Sequence, residues 1–179
     1  EILQFYTNSD SLSWDVMPQY LDLISDVQFS IALQDTRRYL LKHQISPVYS
    51  YEFTYTSPRA LSSISVPLAY PDRAAQFVGL GASHGDELFY QFSTNMSQNP
   101  CNPTKDDEAF MIKFLKAWTT FAKTSNPNCD ELEVTWKQDT IDNPSYLVLG
   151  RNCKPTSGIS FPKRMEFWRR INEKYSFSF

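Results

Sequence analysis

Gly79-Leu80-Gly81-Ala82-Ser83-His84-Gly85-Asp86-Glu87-Leu88-Phe89-Tyr90-Gln91-Phe92 is the stretch on which the reading of this chain turns. Only here do small residues, a histidine and two carboxylates converge. Of the five glycines in the chain, Gly79, Gly81 and Gly85 crowd around His84. Glycine permits close backbone approach and left-handed dihedrals, so the cluster predicts a tight loop that presents a side chain. Leu88, Phe89 and Phe92 then repeat at helical spacing, predicting a short helix with Asp86 and Glu87 in its first turn. Histidine is the side chain whose unperturbed pKa suits proton transfer near neutral pH. A packed histidine beside a turn is the plainer alternative.

The run Gly81-Ala-Ser83-His84-Gly85 also matches the Gly-x-Ser-x-Gly nucleophile elbow, but the chemistry does not follow. Elbow enzymes order their triad serine, acid, histidine. The chain has two histidines, His43 and His84, so none lies downstream of Ser83 except its own neighbour. Ser83 is therefore not expected to be a nucleophile. His84, as the general base that completes a triad, is the better candidate.

Gly81-x-x-His84-Gly85-Asp86-Glu87-Leu88, followed by Tyr90-x-Phe92, resembles the histidine loop of type-B carboxylesterases, relatives of the cholinesterases. Trp118-Thr-Thr-Phe121-Ala122-Lys123-Thr-Ser125-Asn126-Pro127-Asn128 resembles a second segment of that family, with Ser125 where the family usually has glycine. Asp26-Val-Gln-Phe29, Trp136, Tyr146–Leu149 and Phe167-Trp168 complete the pattern in the right order. The resemblance covers essentially the whole chain, yet only the C-terminal third of such an enzyme. It implies an α/β fold: the last sheet strands and surrounding helices of one α/β-hydrolase domain, residues 1–179, incomplete without an N-terminal segment. It also implies carboxylic ester hydrolysis by a serine, glutamate and histidine, with His84 the catalytic histidine. The nucleophilic serine, the acid and the glycine-rich oxyanion loop would belong upstream of Glu1. The implied partners are a small-molecule ester and the N-terminal portion of the same enzyme; no cofactor and no metal are implied. Glu87, beside the loop, is a candidate to support it from behind by hydrogen bonding. A noncatalytic esterase-like adhesion or binding protein and a free-standing aromatic-rich binding domain are the competing readings.

Composition is compatible with this. At 179 residues the chain is long enough for a real core, and it is rich in aromatics, with 13 Phe, 10 Tyr and 4 Trp. A net charge of −3 argues against a nucleic-acid partner. No apolar run approaches the roughly 20 residues of a membrane span. The start at Glu1-Ile2-Leu3 suits a fragment or processed chain.

Along the chain, Val16 to His43 carries apolar residues at helical intervals, with Ser25-Asp26 expected to cap a second helix. His43 falls at the helix C-terminus, where a positive charge suits the dipole. Pro47 to Tyr55 alternates β-branched and aromatic residues and predicts the clearest strand. Ser57 to Gln76, interrupted by Pro58, Pro67 and Pro71, reads as a long irregular loop, either helping to wall an active-site gorge or a surface loop with no role. Thr104 to Thr124 predicts the best helix, capped by Thr104 with Asp106, Asp107 and Glu108 in its first turn. Tyr146 to Leu149 predicts a final strand and Pro162 to Tyr175 a terminal helix. With one other convincing strand, the Pro47–Tyr55 strand needs neighbours from elsewhere, so the chain alone is expected to be insoluble or molten.

Three cysteines, Cys101, Cys129 and Cys153, have no metal-binding spacing; being odd in number, they allow one internal bridge at most. Cys129 and Cys153 are the expected pair. Asn95-Met96-Ser97 is a glycosylation sequon. Together these lean towards the secretory pathway.

Overall fold

The computed structural model describes residues 1–92 and 102–175. These fall into two compact units, one formed by Glu1–Ile45 and Ile159–Phe179, the other by Ser46–Gly158. The Asn95 sequon and Cys101 lie outside the described residues.

In the first unit, helix α1 (Ile2–Thr7) precedes α2 (Met17–Ser25), and α2 runs through a π-helical turn (Asp26–Ser30) into α3 (Ile31–His43). The expected capped break at Ser25-Asp26 is corrected: backbone helicity is continuous there, and neither residue caps a new helix. The Ser25 hydroxyl donates back to Leu21 O at 2.8 Å, and the Asp26 carboxylate is committed elsewhere. Asp26 is fully buried, and it accepts from the Tyr6 hydroxyl at 2.5 Å and pairs with Arg164 on the terminal helix α7 (Pro162–Tyr175). Trp168 Nε1 donates to the Tyr6 oxygen at 2.7 Å, and Phe5 stacks on Phe167 with ring centroids 3.9 Å apart. A buried carboxylate is tolerable because a guanidinium and a hydroxyl satisfy it. His43 ends α3 as expected, its ring 4.5 Å from that of Tyr39.

The second unit carries the sheet. Strand β1 (Ser50–Phe53) pairs in parallel with β2 (Ser145–Leu149), Tyr51 opposite Leu147, and β2 pairs antiparallel with β3 (Lys154–Ser157). The strand expected over Pro47–Tyr55 is therefore shorter, continued at Val48 only by a single bridge to Asp139. Strand β3 corrects the expectation of two strands. It was illegible because Lys154-Pro155-Thr156-Ser157 has no apolar alternation and carries a proline, which suits an edge strand. A parallel pair needs a long crossover. Here it contains α4 (Leu61–Ala69), α5 (Leu88–Gln91) and α6 (Lys105–Thr124).

Helix α6 begins as its sequence predicts. Thr104 Oγ1 accepts from Asp107 N at 3.1 Å while the Asp107 carboxylate accepts from Thr104 N at 2.8 Å, a reciprocal cap. Phe110, Phe114 and Ala117 are buried against Leu147 and Leu149, whereas Leu115 and Phe121 of the same helix stay exposed. Tyr55 stacks on Phe110 with centroids 4.0 Å apart. The helix ends at Ser125, whose φ of 59° is the left-handed C-cap that glycine adopts most readily. Beyond it, Asn128 acts as a side-chain strand: its Oδ1 accepts from Trp136 N at 2.7 Å and its Nδ2 donates to Trp136 O at 2.9 Å. Trp136 in turn donates from Nε1 to Ser50 O at 3.0 Å, tying this segment to β1.

Candidate active site

The loop that carries His84 is built by its glycines. Gly79 and Gly85 have φ of +84° and +85°, the region in which a Cβ is strained. Ser83 to Asp86 forms a turn closed by Asp86 N donating to Ser83 O at 3.1 Å, with Gly85 at its third position, where a type II turn requires positive φ. A Cβ on Gly85 would also stand 3.5 Å from the Leu61 side chain. His84 occupies the second position of this turn, and its side chain is exposed.

What fixes the turn is Asp86. Its carboxylate is fully buried and accepts from Ser83 N at 2.7 Å, Ser62 N at 2.9 Å and Ser62 Oγ at 2.9 Å. Ser62 lies in the first turn of α4, whose N-cap residue, Ala60, has no side-chain acceptor to offer. Asp86 thus serves as a cap supplied from a distant part of the chain, where orphan N–H groups and the positive end of the helix favour an anion. Loop support was expected of Glu87; the bonds that pin this turn come from Asp86, expected only as a first-turn acid of the following helix. Glu87 is half-buried, and the Tyr51 hydroxyl is pushed above its ordinary pKa, first by burial and then by the Glu87 carboxylate. Both acids precede α5 in a succession of turns, not in its first turn as expected. Behind the loop, Phe89 and Tyr90 of α5 are buried, and the Tyr90 hydroxyl lies 2.8 Å from Ser57 Oγ. Burial pushes the Tyr90 hydroxyl up to about 12.

The stretch expected as an irregular loop contains α4, a correction with a local cause. Leu61, Ile64, Val66 and Leu68 supply a partly apolar helix, Asp86 caps it, and Pro67 sits one turn from its end, where few hydrogen bonds are lost. Residues from this segment, including Pro58, Ile64, Pro67 and Leu68, join Val78, Gly79 and Gly81 around a cavity of about 680 Å³ beside the histidine loop.

Cys129 and Cys153 are not bridged, which corrects the expected pair: both are free thiols, each half-buried against the core of the second unit. Cys153 Sγ points to Gly150 O at 4.0 Å instead. Burial raises the pKa of both, so neither is a thiolate at neutral pH. Among the described residues no cluster of His, Cys, Asp and Glu could hold a metal ion, and no helix is long and apolar enough to cross a membrane.

A family model described as the carboxylesterase family matches residues 1–168. The chain belongs to the carboxylesterase family. Among curated carboxylesterases, human carboxylesterase 5A is 28% identical over 169 residues, covering 92% of this chain and 26% of that protein. The cocaine esterase of Oryctolagus cuniculus is 26% identical over 168 residues, covering 93% and 28%. Among solved structures, the juvenile hormone esterase of Manduca sexta, crystallised with OTFP covalently attached, superposes with a TM-score of 0.66 at 18% identity, over 96% of this chain and 31% of that one. The Geobacillus stearothermophilus carboxylesterase EST55 superposes with a TM-score of 0.62 at 19% identity, over 93% and 30%. The fold is therefore part of a carboxylesterase-type α/β-hydrolase, and the chain spans about a quarter to a third of the carboxylesterases it matches.

Proposed function

We propose that this chain is the C-terminal portion of a carboxylesterase, in which His84 is the general base of a Ser-His-Glu triad. The nucleophilic serine and the glutamate come from the N-terminal portion of the same enzyme. The observation that carries this reading is the presentation of His84: an exposed imidazole on a turn with both ends pinned, beside a concavity of ligand size.

In this mechanism the His84 imidazole takes the proton of the serine hydroxyl as the oxygen attacks the ester carbonyl. It returns that proton to the departing alcohol, and then repeats the exchange with water to release the acid. The glutamate holds the imidazole in one tautomer and stabilises its cation. A fixed backbone matters because the base must meet both the serine and the leaving group without reorganising. The low net charge and the apolar members of the cavity lining favour a neutral or weakly charged ester. The sequon at Asn95 bears on location only, and favours the secretory pathway.

The test is turnover of p-nitrophenyl acetate by the full-length enzyme. His84→Gln should lower kcat by about four to six orders of magnitude, as loss of a triad base does, with the fold retained. Residues 1–179 alone should show no hydrolysis. A His84→Gln enzyme near wild-type activity refutes the assignment.

A further inference from the structure

Asp86 does more than stabilise a loop; the geometry points to it as a positioning residue for His84. This rests on the reading of His84 as the catalytic base. Three observations converge. First, the turn containing His84 is closed at both ends by one residue: Asp86 N donates to Ser83 O at 3.1 Å, and the Asp86 carboxylate accepts from Ser83 N at 2.7 Å. The backbone on the N-terminal side of His84 therefore cannot rotate without breaking a bond to a buried charge. Second, the same carboxylate accepts from Ser62 N and Ser62 Oγ, both at 2.9 Å, so the turn is referenced to the first turn of α4. Third, Asp86 is fully buried, and all three bonds come from neutral donors. Leaving a buried carboxylate unsatisfied is costly, so the three bonds stand or fall together and the turn has one low-energy seat.

This geometry assigns no proton transfer to Asp86. Its part is to set where the imidazole stands relative to the attacking and leaving oxygens. Displacement of a catalytic group by about 1 Å lowers the rate roughly 100-fold. The substitution that isolates this role is Asp86→Asn, which keeps the volume of the side chain but turns an amide NH2 towards donors.

The experiment compares kcat and KM for p-nitrophenyl acetate in full-length wild-type enzyme, Asp86→Asn, Ser62→Ala, His84→Gln and the double variant Asp86→Asn/His84→Gln. Positioning predicts that Asp86→Asn lowers kcat about 10- to 100-fold with KM changed less than about twofold. Ser62→Ala, which keeps both backbone donors and removes one of the three bonds to the carboxylate, should lower kcat less than Asp86→Asn does, roughly fivefold. In the double variant Asp86→Asn should cost nothing beyond His84→Gln, because a base that is absent cannot be misplaced. Should Asp86→Asn fail to fold, Ser62→Ala alone and combined with His84→Gln carries the same test. Wild-type kcat in Asp86→Asn or Ser62→Ala, or losses that multiply in the double variant, overturns the proposal and leaves His84 as the base. Full activity in His84→Gln overturns the function reading itself, and the proposal with it.

Discussion

Replacing Asp107 by alanine in the full-length enzyme tests whether the α6 cap holds the sheet as well as the helix. Asp107 is 1% exposed. Its carboxylate accepts from Thr104 N at 2.8 Å, Thr104 Oγ1 at 2.7 Å and the buried Tyr55 hydroxyl at 2.9 Å. Loss of a helix cap costs about 1 kcal/mol. Leaving the Tyr55 hydroxyl buried without an acceptor adds about 1–3 kcal/mol. The sum is about 2–4 kcal/mol for Asp107→Ala, against about 1 kcal/mol for Thr104→Ala, which spares Tyr55. Urea unfolding followed by tryptophan fluorescence measures both. A value for Asp107→Ala no larger than that for Thr104→Ala would refute the link between cap and sheet. The pH dependence has a definite sign. Burial alone would raise the Asp107 pKa, but the bonds from Thr104, and after them those from Ser57 and Tyr55, outweigh it and hold the carboxyl below its ordinary value. A carboxylate depressed in the folded state stabilises at pH above its unfolded value, and that contribution disappears as pH falls through the folded value. The stability gap between wild type and Asp107→Asn should therefore be full at neutral pH and close only below about pH 4.

Ser125→Gly should stabilise the enzyme by about 0.5 kcal/mol, since the left-handed φ of 59° strains serine more than glycine while glycine loses more chain entropy on folding; an unchanged or lower urea midpoint contradicts this. Asn128→Ala removes both side-chain bonds to the Trp136 backbone and should destabilise by about 1–3 kcal/mol, with a red-shifted tryptophan emission as Trp136 gains solvent. Tyr6→Phe leaves Trp168 Nε1 without its acceptor and Asp26 without one donor, and should cost about 1–3 kcal/mol by the same assay while sparing ester turnover.

Much of the fold was legible because its signals are local. The α6 cap is written in Thr104 and Asp107, the terminal helix in the spacing of Met165, Phe167 and Ile171, and the histidine turn in Gly79 and Gly85. Most of what escaped depends on partners the local pattern does not show, in the case of α4 and Asp26 distant in sequence. Helix α4 has no cap of its own and takes one from Asp86, 24 residues from Ser62. Strand β3 exists because β2 offers it an edge. Asp26 does not cap a helix as its type suggests, because its side chain is bound by Tyr6 and Arg164. The turn that presents the histidine was legible from its glycines, but the bonds of Asp86 that pin it were not. Periodicity places Asp86 and Glu87 equally near the loop, and only the third dimension separates the buried acid from its half-buried neighbour. The serine and the glutamate of the proposed triad match no position in this sequence.

The most direct test of the account is the rate at which a fluorophosphonate labels the full-length enzyme, because it reads activation of the nucleophile without requiring the right ester. With His84 as the base, a serine of the wild type should be labelled rapidly and one-to-one, and labelling should slow at least about a thousandfold in His84→Gln. Equal labelling rates in the two proteins, or no labelling of the wild type, would contradict it.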